Sequence, residues 1–294
     1  MPDIVTEAFL ALCSRFFDED GEPIPFSLRD KLNTQDDPFD EFLATDVLAN
    51  IDGITCAKAS GPLITPDMVP FRPEKCADAE CSDLLDDIDS IVGIEVKKLE
   101  RTAQGSVARK SGLDYNTTPP CGRVRVYDSA GSTVDIRGFY LFVCLEKVPG
   151  DSGEVKLTAL CLIDGNALNE DFDFYLSITG EREKSIGLGT FGDGADRARP
   201  MLIFANPLGV SEFDGKPILI HPSEVNANDA PELSLAYRLS RTVSEESPRK
   251  FYCYQRGSDL PAGWTVSDLA DPFLTPERDT RTRPRGKFRL PFRL

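Results

Sequence analysis

Histidine is nearly absent: His221 is the only one among 294 residues. A multi-histidine metal site cannot be built from it, and a lone histidine reads as structural rather than as the base of a catalytic triad. Long apolar runs are also missing. None approaches the roughly 18 residues a membrane helix needs, and Met1-Pro2-Asp3 is not a basic-then-apolar leader. The chain is therefore expected to be soluble, unexported and cytoplasmic. Paired cysteine motifs are scarce. Of eight cysteines only Cys76 and Cys81 lie close together, with no second pair and no neighbouring histidine. This argues against structural zinc or an iron–sulfur cluster, and the expected compartment argues against disulfides. Cations are in short supply as well, 33 Lys and Arg against 49 Asp and Glu, for a net charge of −16. Affinity for nucleic acid comes from neutralising phosphates, so this balance is the strongest argument against a DNA-binding protein.

The charge is not spread evenly. Acids concentrate in residues 36–52 and 78–89, while residues 278–294 carry six Arg and one Lys against one Asp. The field is bipolar, and the acidic clusters are free to face solvent. Phe288, Leu290, Phe292 and Leu294 interleave with the basic residues of the tail. That pattern suits a segment docked on the protein with its charges toward phosphate.

Hydrophobic residues make up 40% of the chain, enough for one large globular domain over residues 1–294. Asp3 is placed to cap an amphipathic helix over residues 4–17, with Phe9, Leu12 and Phe16 on one stripe. Asp37-Pro38 opens a second helix running to about Asn50. Strands are expected over residues 54–58, 63–69, 91–99, 136–145, 155–163 and 172–178. The turn 149–153 makes a hairpin of the fourth and fifth. Residues 187–192 match the dinucleotide fingerprint formally, but no buried strand precedes them and no helix opens inside them. A loop is the better reading.

Two short segments point to chemistry. Pro66-Asp67 lies in the extended apolar run 63–70, and Glu95-Val96-Lys97 lies in the middle of the apolar run 90–99. Burying a carboxylate or an ammonium inside a strand is costly unless each is paired. Alternation puts Glu95 and Lys97 on one face, with Val92, Ile94 and Val96 on the other. If the strand holding Asp67 pairs alongside, two carboxylates and one lysine converge, a site suited to a hard divalent cation and an activated water. A second Glu-x-Lys, Glu154-Val155-Lys156, has only Asp135 upstream in strand context. The two acids would lie roughly 40 Å apart along the hairpin and cannot share a metal. The same arithmetic disfavours Asp89 as the partner of Glu95.

At these residues the chain resembles the PD-(D/E)XK nuclease superfamily, and type II restriction endonucleases in particular. The resemblance covers about residues 40–100. It implies an α/β fold with a restriction-endonuclease-like core, a mixed β-sheet flanked by helices over about residues 38–178, with strand-rich additions. It further implies that Asp67 and Glu95 bind Mg2+, with the Val96 carbonyl as third ligand, and that Lys97 is the catalytic lysine. The superfamily often adds a helix glutamate before the first core strand. Glu41 is the candidate, with Asp46 in reserve. The expected partner is double-stranded DNA, cut by a homodimer to leave 5′-phosphate ends. Asn116, Thr117 and Thr118 lie on a proline-stiffened loop leaving the catalytic strand, and Arg123 and Arg125 share one face of the next strand. All five have side chains suited to bases or phosphates and are the candidate DNA contacts. A repair or antiphage nuclease with the same core, and a non-enzymatic acidic interaction protein, are the alternative readings.

Overall fold

The computed structural model describes residues 1–33, 36–61, 64–77, 84–101, 105, 107–108, 115–117, 122–150, 153–168, 201–204, 207–213, 216–241, 248–257, 263–270, 272, 277–279 and 288–292. Asp3 starts the fold. Its carboxylate accepts the Thr6 N–H at 2.9 Å, satisfying one of the donors every helix leaves open at its start. Helix α1 (Ile4–Phe16) follows, with Phe9, Leu12 and Phe16 buried as the stripe predicts. Gly21, at φ +83°, turns the chain back into β1 (Phe26–Ser27). Asp37 caps α2 (Pro38–Phe42), which continues as a π turn (Leu43–Val47) and a 3-10 turn (Leu48–Asn50). The expected second helix thus reaches Asn50, but its pitch changes twice.

Next come β2 (Thr55–Lys58), β3 (Met68–Phe71), α3 (Pro73–Ala77), β4 (Val92–Arg101), β5 (Val107–Ala108), β6 (Tyr115–Thr117), β7 (Arg123–Tyr127), β8 (Thr133–Lys147), β9 (Glu154–Asp164) and α4 (Gly165–Leu168). The remainder is β10 (Met201–Phe204), β11 (Ile218–His221), β12 (Leu233–Arg241), β13 (Arg249–Arg256), β14 (Ser267–Ala270), β15 (Glu277–Asp279) and β16 (Phe288–Arg289). The strand expected at 172–178 and the glycine-rich segment 187–192 lie outside the described residues.

The chain is α/β, built on one large mixed sheet in the order β14-β12-β13-β11-β9-β8-β4-β3-β2. β4 runs parallel to β8, β9 to β11 and β12 to β14, while β2, β3 and β4 form an antiparallel meander. The hub is β8. One of its edges pairs with β4, the other with β9 and, toward its start, with β7. The expected β8–β9 hairpin forms, with Gly150 at φ +80° in its turn.

Alternation assigns the faces. Val92, Ile94 and Val96 of β4, with Phe139, Leu141 and Val143 of β8, pack against α1 and α2 in the main core. The opposite face carries two further apolar clusters. One holds Leu99, Tyr140, Phe142, Cys161 and Ile220. The other holds Val69, Phe71, Val124, Val126, Ile136 and Leu290. Glu95 and Lys97 belong to this second face, at the seam between the clusters.

The tail is docked over its described residues. β16 runs parallel to β7, Leu290 N–H donates to the Tyr127 carbonyl at 2.6 Å, and the Phe292 ring centroid lies 4.5 Å from that of Phe71. Of the strand expected at 63–69, Leu63 lies outside the described residues, and the ladder begins at Met68, since Pro66 has no N–H to give it. Among the described residues no helix is long and apolar enough to cross a membrane.

Candidate active site

Register brings the two acids together. Met68 pairs with Ile94 in the antiparallel β3–β4 ladder, so Asp67, one step earlier, falls opposite Glu95, one step later. The Val96 N–H donates to Asp67 Oδ2 at 2.7 Å and pins that carboxylate against β4. Gly93 makes the approach possible. A Cβ there would stand 3.1 Å from Pro66 Cγ and 2.5 Å from Val124 Cγ2. Proline and glycine therefore explain each other: the turn that delivers Asp67 lies directly on a strand position without a side chain.

Glu95 is 5% exposed. Its Oε1 lies 2.6 Å from Lys97 Nζ, the same-face neighbour that alternation requires. Lys97 Nζ also sits over the Tyr140 ring, 5.7 Å from its centroid. Asp67 is half-buried as a residue, but its carboxyl group is turned inward. Burial, then the charges of Glu95 and Asp40, push it well above the usual carboxylate range, against the opposing pull of Lys97 and the Val96 N–H. The site holds its second negative charge reluctantly, as burial beside a like charge requires.

The third acid near this pair comes from α2, and it is Asp40 rather than Glu41. Asp40 and Asp37 both pair with Lys98, Asp40 Oδ1 at 2.9 Å. Burial raises the Asp40 carboxyl, and the Asp37 and Glu95 charges add to the effect while Lys98 opposes it. On Lys98 itself burial acts downward, but Asp40 and Asp37 outweigh it and hold the ammonium above its ordinary range. Glu41 turns to the surface, where it pairs with Arg29 and approaches Lys58 at 3.8 Å. Asp46 is exposed and accepts from its neighbour Thr45 Oγ1 at 2.6 Å. The signal for Asp40 was Lys98. A lysine sharing a face with Val96 and Ile94 needs a nearby carboxylate, and the start of α2 supplies two.

Of the candidate DNA contacts, Arg123 and Arg125 are not gathered at this site. Val124 and Val126 point into the cluster on the Glu95 face, so Arg123 and Arg125 point to the other face. Arg125 is held there by Asp135 through two hydrogen bonds, at 2.7 and 2.9 Å. Arg123 pairs in register with Arg137. Asn116 and Thr117 lie in β6, against Ile203 and Leu202 of β10. Their side chains, and Thr118 altogether, lie outside the described residues. Asp135 and Glu154 are at opposite ends of the hairpin, and Asp89 lies 3.9 Å from Lys75. A cleft of 610 Å³ between the 18–22 turn and Arg256 shares no residue with the site.

Asp67, Glu95 and the Val96 carbonyl form an all-oxygen donor set. Among the described residues no three His, Cys, Asp or Glu side chains group as metal ligands. Two carboxylates are nonetheless what Mg2+ ordinarily takes from a protein, the rest of its shell being water and substrate oxygens. The donor set therefore fits a hard divalent cation and not zinc, which prefers sulfur and nitrogen. No family model matches the chain, and neither a curated protein nor a solved structure is significantly similar to it.

Proposed function

We propose that this chain is a Mg2+-dependent deoxyribonuclease of the PD-(D/E)XK kind, acting on double-stranded DNA as a type II restriction endonuclease. The observation that carries the reading is the convergence of Asp67, Glu95 and Lys97 on one strand pair, with Asp67 fixed by the Val96 N–H. Like-charged carboxylates in a buried seam cost stability, and such a cost is characteristic of functional sites. The antiparallel meander β2-β3-β4, followed by β8 parallel to β4, supports a restriction-endonuclease-like core.

Asp67, Glu95 and the Val96 carbonyl would hold the cation. When bound, it supplies Lewis acidity and lowers the pKa of a coordinated water. The protein's own groups do the rest. The hydrogen bond from Val96 keeps the Asp67 carboxylate from swinging away. Lys97 presents an ammonium beside Glu95, placed to orient the attacking water and to offset charge growing on the phosphate. The Asp40–Lys98 pair sets the field behind the site.

Among the described residues each chain carries one such site, and a site of this kind attacks one phosphate at a time. Cutting both strands of a palindrome in one encounter calls for a homodimer whose two-fold axis matches that of the duplex. The charge of −16 favours a second reading, a non-enzymatic acidic interaction protein. Digestion of a long phage DNA with Mg2+, followed by sequencing of the ends, separates the two. Discrete 5′-phosphate ends are expected, lost on chelation and in Lys97→Ala. An absence of cutting with Mg2+ or Mn2+, or a Lys97→Ala protein as active as wild type, defeats the nuclease reading.

A further inference from the structure

Lys97 has two anchors. One is Glu95 Oε1 at 2.6 Å. The other is the face of the Tyr140 ring, 5.7 Å from centroid to Nζ. The parallel register sets Tyr140 across from Glu95 and Phe142 across from Lys97, so both rings lie on the face of the site. They are 1% and 0% exposed, stacked with centroids 6.4 Å apart, and packed among Leu99, Cys161 and Ile220. The ammonium therefore rests on an aromatic floor that belongs to the hub strand of the sheet.

The two anchors differ once the site is loaded, on the nuclease reading given above. Glu95 then shares its oxygens with a divalent cation, and that cation repels the Lys97 ammonium. The first anchor weakens at the moment the lysine is needed. The ring is not a metal ligand and carries no net charge, yet its negative face continues to attract the ammonium. The geometry points to Tyr140 as a positioning residue that holds Lys97 in place when the metal takes Glu95. The part of the side chain that matters is the ring, not the hydroxyl.

The test compares Tyr140→Phe, Tyr140→Leu and Tyr140→Met in the full chain. Met is included because its unbranched, flexible chain adapts to an irregular gap should Leu fail to fold. Two quantities are read. The first is single-turnover cleavage with Mg2+ at saturating DNA, alongside KM. The second is the resonance of Lys97 after 13C reductive methylation, identified by its loss in Lys97→Ala, which a ring below shifts upfield.

Tyr140→Phe should keep the shifted resonance and cut within about twofold of wild type. Tyr140→Leu and Tyr140→Met should lose the shift and cut about 5- to 30-fold slower, the range of a desolvated cation–ring contact, with KM little changed. Wild-type cleavage by the Leu and Met variants would overturn the proposal while leaving the nuclease intact. So would a Phe variant as slow as Leu, or an unshifted Lys97 resonance in wild type. A wild-type chain that never cuts DNA, with the shifted resonance present, sinks the nuclease reading and removes the positioning role with it.

Discussion

Asp67→Asn should make the protein more stable and inactive in one step. Asn keeps an oxygen for the Val96 N–H, whose bond to Asp67 is 2.7 Å long, and removes only the charge. Side chains directly opposite on paired strands lie about 5 Å apart. At an effective dielectric near 20, two such charges repel by about 3 kcal/mol. Lys97, 2.6 Å from Glu95, cancels much of this, which leaves a net gain of about 1–2 kcal/mol. Spread over a chain of this size, the gain raises the melting temperature by about 2–4 °C. The pH dependence follows from the raised Asp67 carboxyl. The folded wild type binds its proton more tightly than the unfolded chain, so it loses stability as pH rises through and above the ordinary carboxylate range. The advantage of Asn is full above the raised pKa and vanishes below about pH 3.9. Melting curves with and without Ca2+ complete the assay. Saturation at about 100 times Kd adds about 2.7 kcal/mol to wild type, and Asn should gain little. An Asn variant that melts lower than wild type at pH 8, or that gains as much from the cation, would show that Asp67 is a structural acid and the convergence accidental.

Asp40→Asn should slow cleavage about tenfold or more, as loss of a group supporting a metal site does, while Glu41→Gln should stay within about twofold. The reverse order in a single-turnover assay would restore Glu41. Gly93→Ala should cost about 1–3 kcal/mol in urea unfolding, because its Cβ would stand 2.5 Å from Val124 Cγ2, which must shift, and tightly at 3.1 Å against Pro66 Cγ; an unchanged midpoint would refute this packing around Gly93. His221 Nε2 lies 3.2 Å from Asp3 Oδ2. Burial lowers the histidine, but the hydrogen bond and charge of Asp3 outweigh it and raise its pKa; burial raises Asp3, and His221 outweighs that to lower it. The stability this pair contributes is therefore full below about pH 6.5 and above the normal aspartate range, and is lost as pH rises through the raised histidine pKa. His221→Gln should flatten that decline of about 1–2 kcal/mol, and a decline unchanged by the substitution would place its origin elsewhere.

Much of this was legible in the residue order. The Asp3 cap with its apolar stripe, the 149–153 turn and the period-2 alternation of residues 91–99 each rest on local chemistry, and each produced the expected element. What escaped needed long-range information. β12 did not read as a strand because the ladder slips between Leu235 and Tyr237. The slip breaks the alternation, so that Leu233, Ala236 and Leu239 are buried at every third position. Alternation correctly put Arg123 and Arg125 on one face but could not say which, since that depends on β8 pairing with β7 and β4 at once. Asp40 and Glu41 are adjacent on α2. Which of them looks toward the sheet is set by how Phe39 and Phe42 seat against Phe16 and Phe26, and no local pattern encodes that docking.

Helix α1 is joined to strands made long after it. Asp3 meets His221, and the Phe17 carbonyl accepts from Arg256, 239 positions further along, at 3.4 Å. Leu219 and Tyr254 share its core cluster. At about 5–20 residues per second, the ribosome needs roughly 10–50 s to deliver the partners of a helix already synthesised. Throughout that interval the Phe9–Leu12–Phe16 stripe is covered only in part, by rings such as Phe26, Phe39 and Phe42 against Phe16. Completion of this core is therefore late, and folding slow for the helix content of the chain, as expected where contacts span so much sequence.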